Sequence, residues 1–195
     1  MRRGQRMWQA GDADDWVFVL CQGLAMSSYL DPSGEQRVVQ LHTRGSVLGL
    51  LEPFDGRPRA FDVDILVSGW GMKVPRATVR SALESGGAGA MGVVKLMVHL
   101  LHSSNRRVAE LGYGSVEQRV ARILVRLVEN YALEDARGLL VPVALSKTHL
   151  AQLVGCRLET LVRTLKQPEV LAAVSFQREG FVVLDAPGLR RLAAA

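Results

Sequence analysis

The chain has 195 residues, 48% hydrophobic and 22% charged, enough for two small domains with separate cores and too few for three. Its formal net charge of +5 and isoelectric point near 9.7 suit a polyanionic partner without naming one. Two cysteines, Cys21 and Cys156, lie far apart with no Cys-x-x-Cys or Cys/His ligand spacing, which argues against a disulfide framework and against a zinc site. No apolar run approaches the roughly 18 residues of a membrane span, and the basic start Met1–Arg6 leads into no signal-like apolar region. A cytoplasmic protein with no membrane partner is expected.

From Trp8 to about Val74 the pattern is of short apolar runs cut by turn residues: Trp16–Leu20, Leu24–Leu30, Val38–Leu41, Val47–Leu51, Phe61–Val67 and Trp70–Val74. These predict β-strands. Gly11-Asp12, Asp31–Gly34, Arg44-Gly45, Asp55-Gly56 and Ser68-Gly69 predict the turns between them. Strands with no intervening helical pattern argue for an antiparallel sandwich or barrel.

After a flexible stretch at Ser85–Gly89 the period becomes helical. Val94, Val98, Leu101, Asn105 and Val108 recur at spacings of four and three, the seam of a coiled coil, which predicts a homodimer interface. Packing of the same stripe on the chain's own β-domain is the alternative. A polar Asn105 in the seam suits register selection in a parallel pair, or contact with a ligand from the β-domain.

A break at Gly112–Gly114 precedes Ser115-Val-Glu-Gln118, which has the form of a capping box, and Val116, Val120, Ile123, Leu124, Leu127 and Val128 give the next helix an apolar face. Glu134–Gly138 reads as a loop and Leu139–Val143 as a short strand. Within Leu145–Lys166, Ser146 N-caps a helix with Leu150, Leu153 and Val154 on its core face and small Ala151 for a close neighbour; Gly155 turns the chain. A second helix keeps Leu161 and Leu165 inward and leaves Arg157, Glu159, Thr160, Arg163 and Lys166 outward, a set that reaches base edges and phosphates in a major groove. An amphipathic hairpin with a solvated charged face gives the same pattern by chance. Val174–Leu184 then reads as two strands around a Gln/Arg/Glu/Gly turn, resembling a wing. From Leu145 onward seven basic residues face four acidic ones.

In this order of parts the chain resembles the CRP/FNR superfamily of bacterial transcription regulators. The resemblance is strongest over Val116–Leu184, in Val-Glu-Gln-Arg-Val-Ala-Arg-Ile-Leu, the Leu-Val-Gly-Cys turn and Glu159-Thr160-x-x-Arg163. It is less specific in the β-region, at Gln9–Asp12, Trp16–Leu20, Gly23, Gly45 and Gly49. It implies an α+β protein: an antiparallel β jelly roll of the cyclic nucleotide-binding type over 1–86, a dimerisation helix over 87–112 and a winged helix-turn-helix over 113–195.

The resemblance also implies that Glu159 and Arg163 read a G·C-containing core in double-stranded DNA, chemistry that suits a carboxylate facing cytosine N4 and a guanidinium facing guanine O6 and N7. Leu158 stands where the cyclic AMP receptor protein has another base-reading arginine, so the preferred sequence differs there, toward a thymine methyl. Lys147, Arg157, Thr160 and Lys166 are placed for phosphates. Pro168 ends or bends the recognition helix early.

The family's nucleotide cassette has Gly-Glu-Leu followed by Arg-Ser/Thr-Ala; here Gly49-Leu50-Leu51 and Arg57-Pro-Arg-Ala-Phe61 stand instead. Leu50 replaces the ribose-binding glutamate and Ala60 the hydroxyl residue, leaving Arg59, or else Arg57, for a phosphate. An effector pocket drawing on Gly49, Leu50, Arg57, Arg59, Ser104 and Asn105 is therefore expected to hold an unknown ligand or none, without cyclic nucleotide dependence. Two cysteines are too few for an iron–sulfur cluster, and Cys21, His42, His99 and His102 have no spacing that singles out a haem ligand. No cofactor is expected.

The reading is a homodimeric, sequence-specific DNA-binding regulator, with RNA polymerase a candidate partner. The alternative is a small-molecule sensor whose helical end binds a protein. An enzyme is the remote third, since Asp62 and Asp64 share a strand face but have no accompanying base, nucleophile or ligand set.

Overall fold

In the structure, a computed structural model describing residues Met1–Ala194, the apolar runs of the first half pair as one antiparallel sheet. Its strands are β1 (Arg6–Trp8), β2 (Trp16–Leu30), β3 (Gln36–His42), β4 (Val47–Leu48) and β5 (Asp62–Pro75), ordered β1-β5-β2-β3 with β4 also on β2. Trp8, Phe18, Leu20, Ala25, Leu48, Val63 and Ile65 form the core of this layer.

The expected breaks inside β2 and β5 are corrected by the structure. Each pair of predicted short strands is one long strand, and Ser68-Gly69 lies within β5. The reason is a close backbone crossing. A Cβ on Gly69 would stand 2.0 Å from the Gln22 carbonyl oxygen, and one on Gly23, itself at φ 102°, 2.7 Å from that of Val67. The register slips repeatedly between Leu20 and Ala25, so the glycines serve a bulge in place of turns.

The strand predicted over Val47–Leu51 ends at Leu48, and the chain enters a short helix, α1 (Glu52–Asp55). α2 (Arg76–Glu84), with no buried residue, had no sequence signal. The long helix α3 (Gly87–Gly112) begins inside the stretch predicted to be flexible. Among the described residues no helix is long and apolar enough to cross a membrane.

α4 (Val116–Tyr131) starts with the predicted capping box. The Ser115 hydroxyl accepts from the Gln118 N–H at 3.2 Å, and the Gln118 side-chain oxygen accepts from the Ser115 N–H at 2.7 Å. Val120, Ala121, Ile123, Leu124 and Leu127 are buried. The predicted loop at Glu134–Gly138 is instead part of a hairpin, β6 (Leu133–Asp135) and β7 (Gly138–Val141). β7 in turn pairs with β9 (Gly180–Val183), and β9 with β8 (Val174–Gln177), giving a four-stranded sheet ordered β6-β7-β9-β8. Between these strands lie α5 (Lys147–Val154), α6 (Leu158–Thr164) and α7 (Pro168–Ala173); α8 (Ala186–Ala194) follows. The chain divides into two compact units between Val108 and Ala109, inside α3 and before the glycine break.

Candidate nucleic-acid interface

The local chemistry of α5 and α6 produces a helix-turn-helix. The Ser146 hydroxyl accepts from the His149 N–H at 3.0 Å, satisfying an orphan donor at the start of α5. Leu150, Ala151, Leu153 and Val154 are buried, as the apolar spacing predicts. Gly155 adopts φ 71°, and its N–H and that of Cys156 return to the carbonyls of the last turn. Burial raises the Cys156 thiol pKa against the pull of Arg119. Leu161 and Leu165 anchor α6 in the core, and the Thr164 hydroxyl donates to the Thr160 carbonyl at 3.0 Å.

What remains outward is the predicted set. Lys147, Arg157, Leu158, Glu159, Arg163 and Lys166 are exposed and Thr160 is half-buried. Among the described residues none of the charged five is held in an ion pair, although Glu159 and Arg163 stand one turn apart. α6 ends at Thr164, and after Gln167, at ψ 141°, Pro168 opens α7. The early stop predicted from Pro168 is present, because proline excludes the helical region for its predecessor. The wing is present too, with Arg178-Glu179 at its tip.

The six predicted effector residues stand in different surroundings. Arg57 extends into solvent, 82% exposed, beside Asp55. Ser104 and Asn105 are exposed on α3, and Leu50 is buried. Arg59 has no exposed side-chain surface. Its guanidinium lies 4.2 Å from the Trp8 ring centroid and 4.9 Å from that of Trp16, and it donates to the Trp16 carbonyl. Asp14 and Glu52 approach it at 3.7 and 3.8 Å, and burial lowers its pKa. Gly49 makes room for this arrangement, since a Cβ there would stand 1.8 Å from Arg59 Nη1. The tryptophans that hold Arg59 carried no signal of that role in the sequence.

A separate cavity of about 50 Å³ is lined by Gln40, His42, Ser46, Leu96, His99 and Ser103, among others, and by none of the six. His42 Nε2 lies 3.0 Å from the Ser27 hydroxyl, and burial pushes its pKa down to about 4. Among the described residues no group of three or more His, Cys, Asp or Glu side chains is placed to hold a metal ion.

The predicted seam lies open in the isolated chain. Val94, Val98, Leu101 and Val108 are 43–71% exposed, Asn105 is exposed, and Val93 is the only buried residue of α3 among those described.

These features define a class: an antiparallel β-domain, a long helix, and a winged helix-turn-helix. Comparison with known proteins agrees. Residues 1–85 match the cyclic nucleotide-binding domain family and residues 118–192 the Crp-like helix-turn-helix domain family. The chain belongs to the CRP/FNR superfamily of DNA-binding transcription regulators. It is 22% identical over 191 residues to the CRP-like cAMP-activated global transcriptional regulator of Mycobacterium tuberculosis, covering 98% of this chain and 85% of that one. It is also 22% identical to the nitrogen fixation regulation protein FixK of Bradyrhizobium diazoefficiens over 192 residues, covering 98% and 80%. A CRP-family transcriptional regulator from Thermus thermophilus superposes with a TM-score of 0.82 at 17% identity, over all of this chain and 96% of its own.

Proposed function

We propose that the protein acts in the cytoplasm as a homodimer, binds a palindromic operator through α6 of each protomer, and does so without a cyclic nucleotide. The observation that carries this reading is the combination of an outward Glu159 and Arg163 on α6, outside any ion pair, with an Arg59 buried inside the β-domain. Glu159 accepts from cytosine and Arg163 donates to guanine, while Lys147, Arg157, Thr160 and Lys166 hold phosphates and Leu158 meets an apolar base edge. The exposed Val94, Val98, Leu101, Asn105 and Val108 supply the two-fold interface. A nucleotide phosphate would meet at Arg59 a guanidinium with no exposed surface, enclosed by Trp8 and Trp16 and faced by Asp14 and Glu52, and Leu50 offers no acceptor to a ribose hydroxyl.

Selection of bound sequences from a random DNA pool tests the reading. Without ligand it yields a palindrome with half-site centres about 34–36 Å apart, and adding cyclic AMP leaves the result unchanged. Arg163→Ala lowers operator affinity by about 1–3 kcal/mol, roughly 5- to 150-fold, while weak nonspecific binding persists. A palindrome recovered only with cyclic AMP would overturn the nucleotide-independent reading. Salt-insensitive association with no sequence preference would favour a protein partner at the helical end.

A further inference from the structure

The segment between α3 and α4 reads in the sequence as a glycine break, yet its backbone is gripped from several sides. Arg119, on α4, directs its guanidinium at two carbonyl oxygens: Nε donates to Val154 at 2.8 Å and Nη1 to Gly114 at 2.7 Å. Val154 is the last residue of α5, so its carbonyl has no partner within the helix. One rigid fork therefore joins the turn of the helix-turn-helix to the loop that follows the long helix.

Neighbouring contacts reinforce it. Arg122 Nη1 donates to the Tyr113 carbonyl at 3.1 Å and its guanidinium lies 5.5 Å from the Tyr113 ring centroid. Arg126 pairs with Glu110 at 2.8 Å. Leu111, in the last turn of α3, covers the turn itself, since a Cβ on Gly155 would stand 2.6 Å from Leu111 Cδ2. All these residues belong to the second compact unit.

We propose that Arg119 is a positioning residue for DNA recognition: together with Leu111 it seats the final turn of the long helix on the helix-turn-helix turn and thereby fixes the attitude of α6. Gly112–Gly114 is then a latch that carries the last turn of α3 with the DNA-binding unit. The link to base reading is short. Arg157, the N-cap residue of α6, follows closely after Val154, so a shift of the anchored carbonyl tilts the first turn of α6, where Glu159 lies. Hydrogen bonds to base edges weaken steeply with misalignment, whereas phosphate contacts through long side chains tolerate it. This proposal rests on α6 being the base-reading helix.

The test uses the full chain and two duplexes of equal length, the operator selected above and a scrambled sequence, with affinities read by fluorescence anisotropy at fixed salt. In Arg119→Gln the operator-to-scrambled affinity ratio falls at least about tenfold while scrambled-duplex affinity holds. Arg119→Lys, whose single ammonium cannot span both carbonyls in the same fork, gives an intermediate ratio. A merely structural role would lower both affinities in proportion to the folded fraction and leave the ratio unchanged, and that result overturns the proposal. If Arg119→Gln does not fold, Leu111→Ala carries the same test: a reduced ratio supports the proposal and an unchanged ratio overturns it. Absence of any preference in the unsubstituted protein would remove the operator reading and this proposal with it. Preference there, with unaffected variants, overturns this proposal alone.

Discussion

Replacing Arg59 with alanine probes whether the β-domain has withdrawn its cassette arginine from ligand service. The guanidinium sits between Trp8 and Trp16, and each desolvated cation–π face contributes about 2 kcal/mol. Truncation also loses two buried methylenes, about 1.5 kcal/mol. Against these stands the desolvation of a cation whose Nε and Nη1 have no hydrogen-bond partner and whose carboxylates remain 3.7–3.8 Å away, a cost of several kcal/mol relieved on truncation. The net expected loss is about 3 kcal/mol, with part of it reflecting Glu52 left without its counter-charge in a largely buried place. Urea denaturation followed by tryptophan emission measures it, because two of the three tryptophans flank the substituted group. Arg59→Lys retains the charge without the flat stacking surface and falls between. A loss below about 0.5 kcal/mol with unchanged emission would refute the reasoning, since it would mean a guanidinium standing in solvent and open to a phosphate.

Three further outcomes are expected. His42 titrates at about 4 in the folded chain against about 6.5 when unfolded, so the unfolded state takes the proton first. Stability therefore falls by up to ~3 kcal/mol as pH drops from 6.5 toward 4, and His42→Asn flattens this slope; identical pH profiles for the two proteins would discount the assignment. Gly69→Ala forces a Cβ against the Gln22 carbonyl and costs about 2–3 kcal/mol in thermal or urea unfolding, a neutral effect being incompatible with the bulge described. Leu101→Asp places a charge in the exposed seam and converts a dimer to monomer in sedimentation velocity without lowering monomer stability, as Leu101 is 61% exposed; an unchanged sedimentation coefficient would argue against this seam.

Features set by neighbours along the chain were legible in the sequence. The Ser115–Gln118 capping box, the Ser146 cap, the positive φ of Gly155 and the stop imposed by Pro168 each depend on a few consecutive residues. Non-local features were read wrongly or missed. Ser68-Gly69 carries the composition of a turn, and only its approach to Gln22 and Gly23 makes it a bulge. Arg59 was recognisable as a cassette residue, but its confinement depends on Trp8 and Trp16, far back in the chain, and on the space that Gly49 leaves. α2 lacked a signal because its apolar stripe is only Val79, Ala82 and Leu83, half-buried in the structure and too short to read as a helix from the sequence. Arg119 falls within a family motif, and its grip on Val154 and Gly114 follows from how α4 packs against α5.

The shortness of α6 bears on genome-wide selectivity. Seven residues at about 1.5 Å each give a rod of roughly 10 Å, which runs alongside about three base pairs at 3.4 Å apiece. In the homodimer proposed above a pair of such rods would inspect about six positions directly, a pattern that recurs by chance roughly once in 4,000 base pairs. Among the millions of competing sites in a bacterial chromosome this leaves on the order of a thousand accidental matches. On that proposal, selectivity in the cell would draw on the fixed distance between half-sites and on the ease with which the intervening duplex bends, so that spacer composition would become as much a part of the address as the bases the side chains touch.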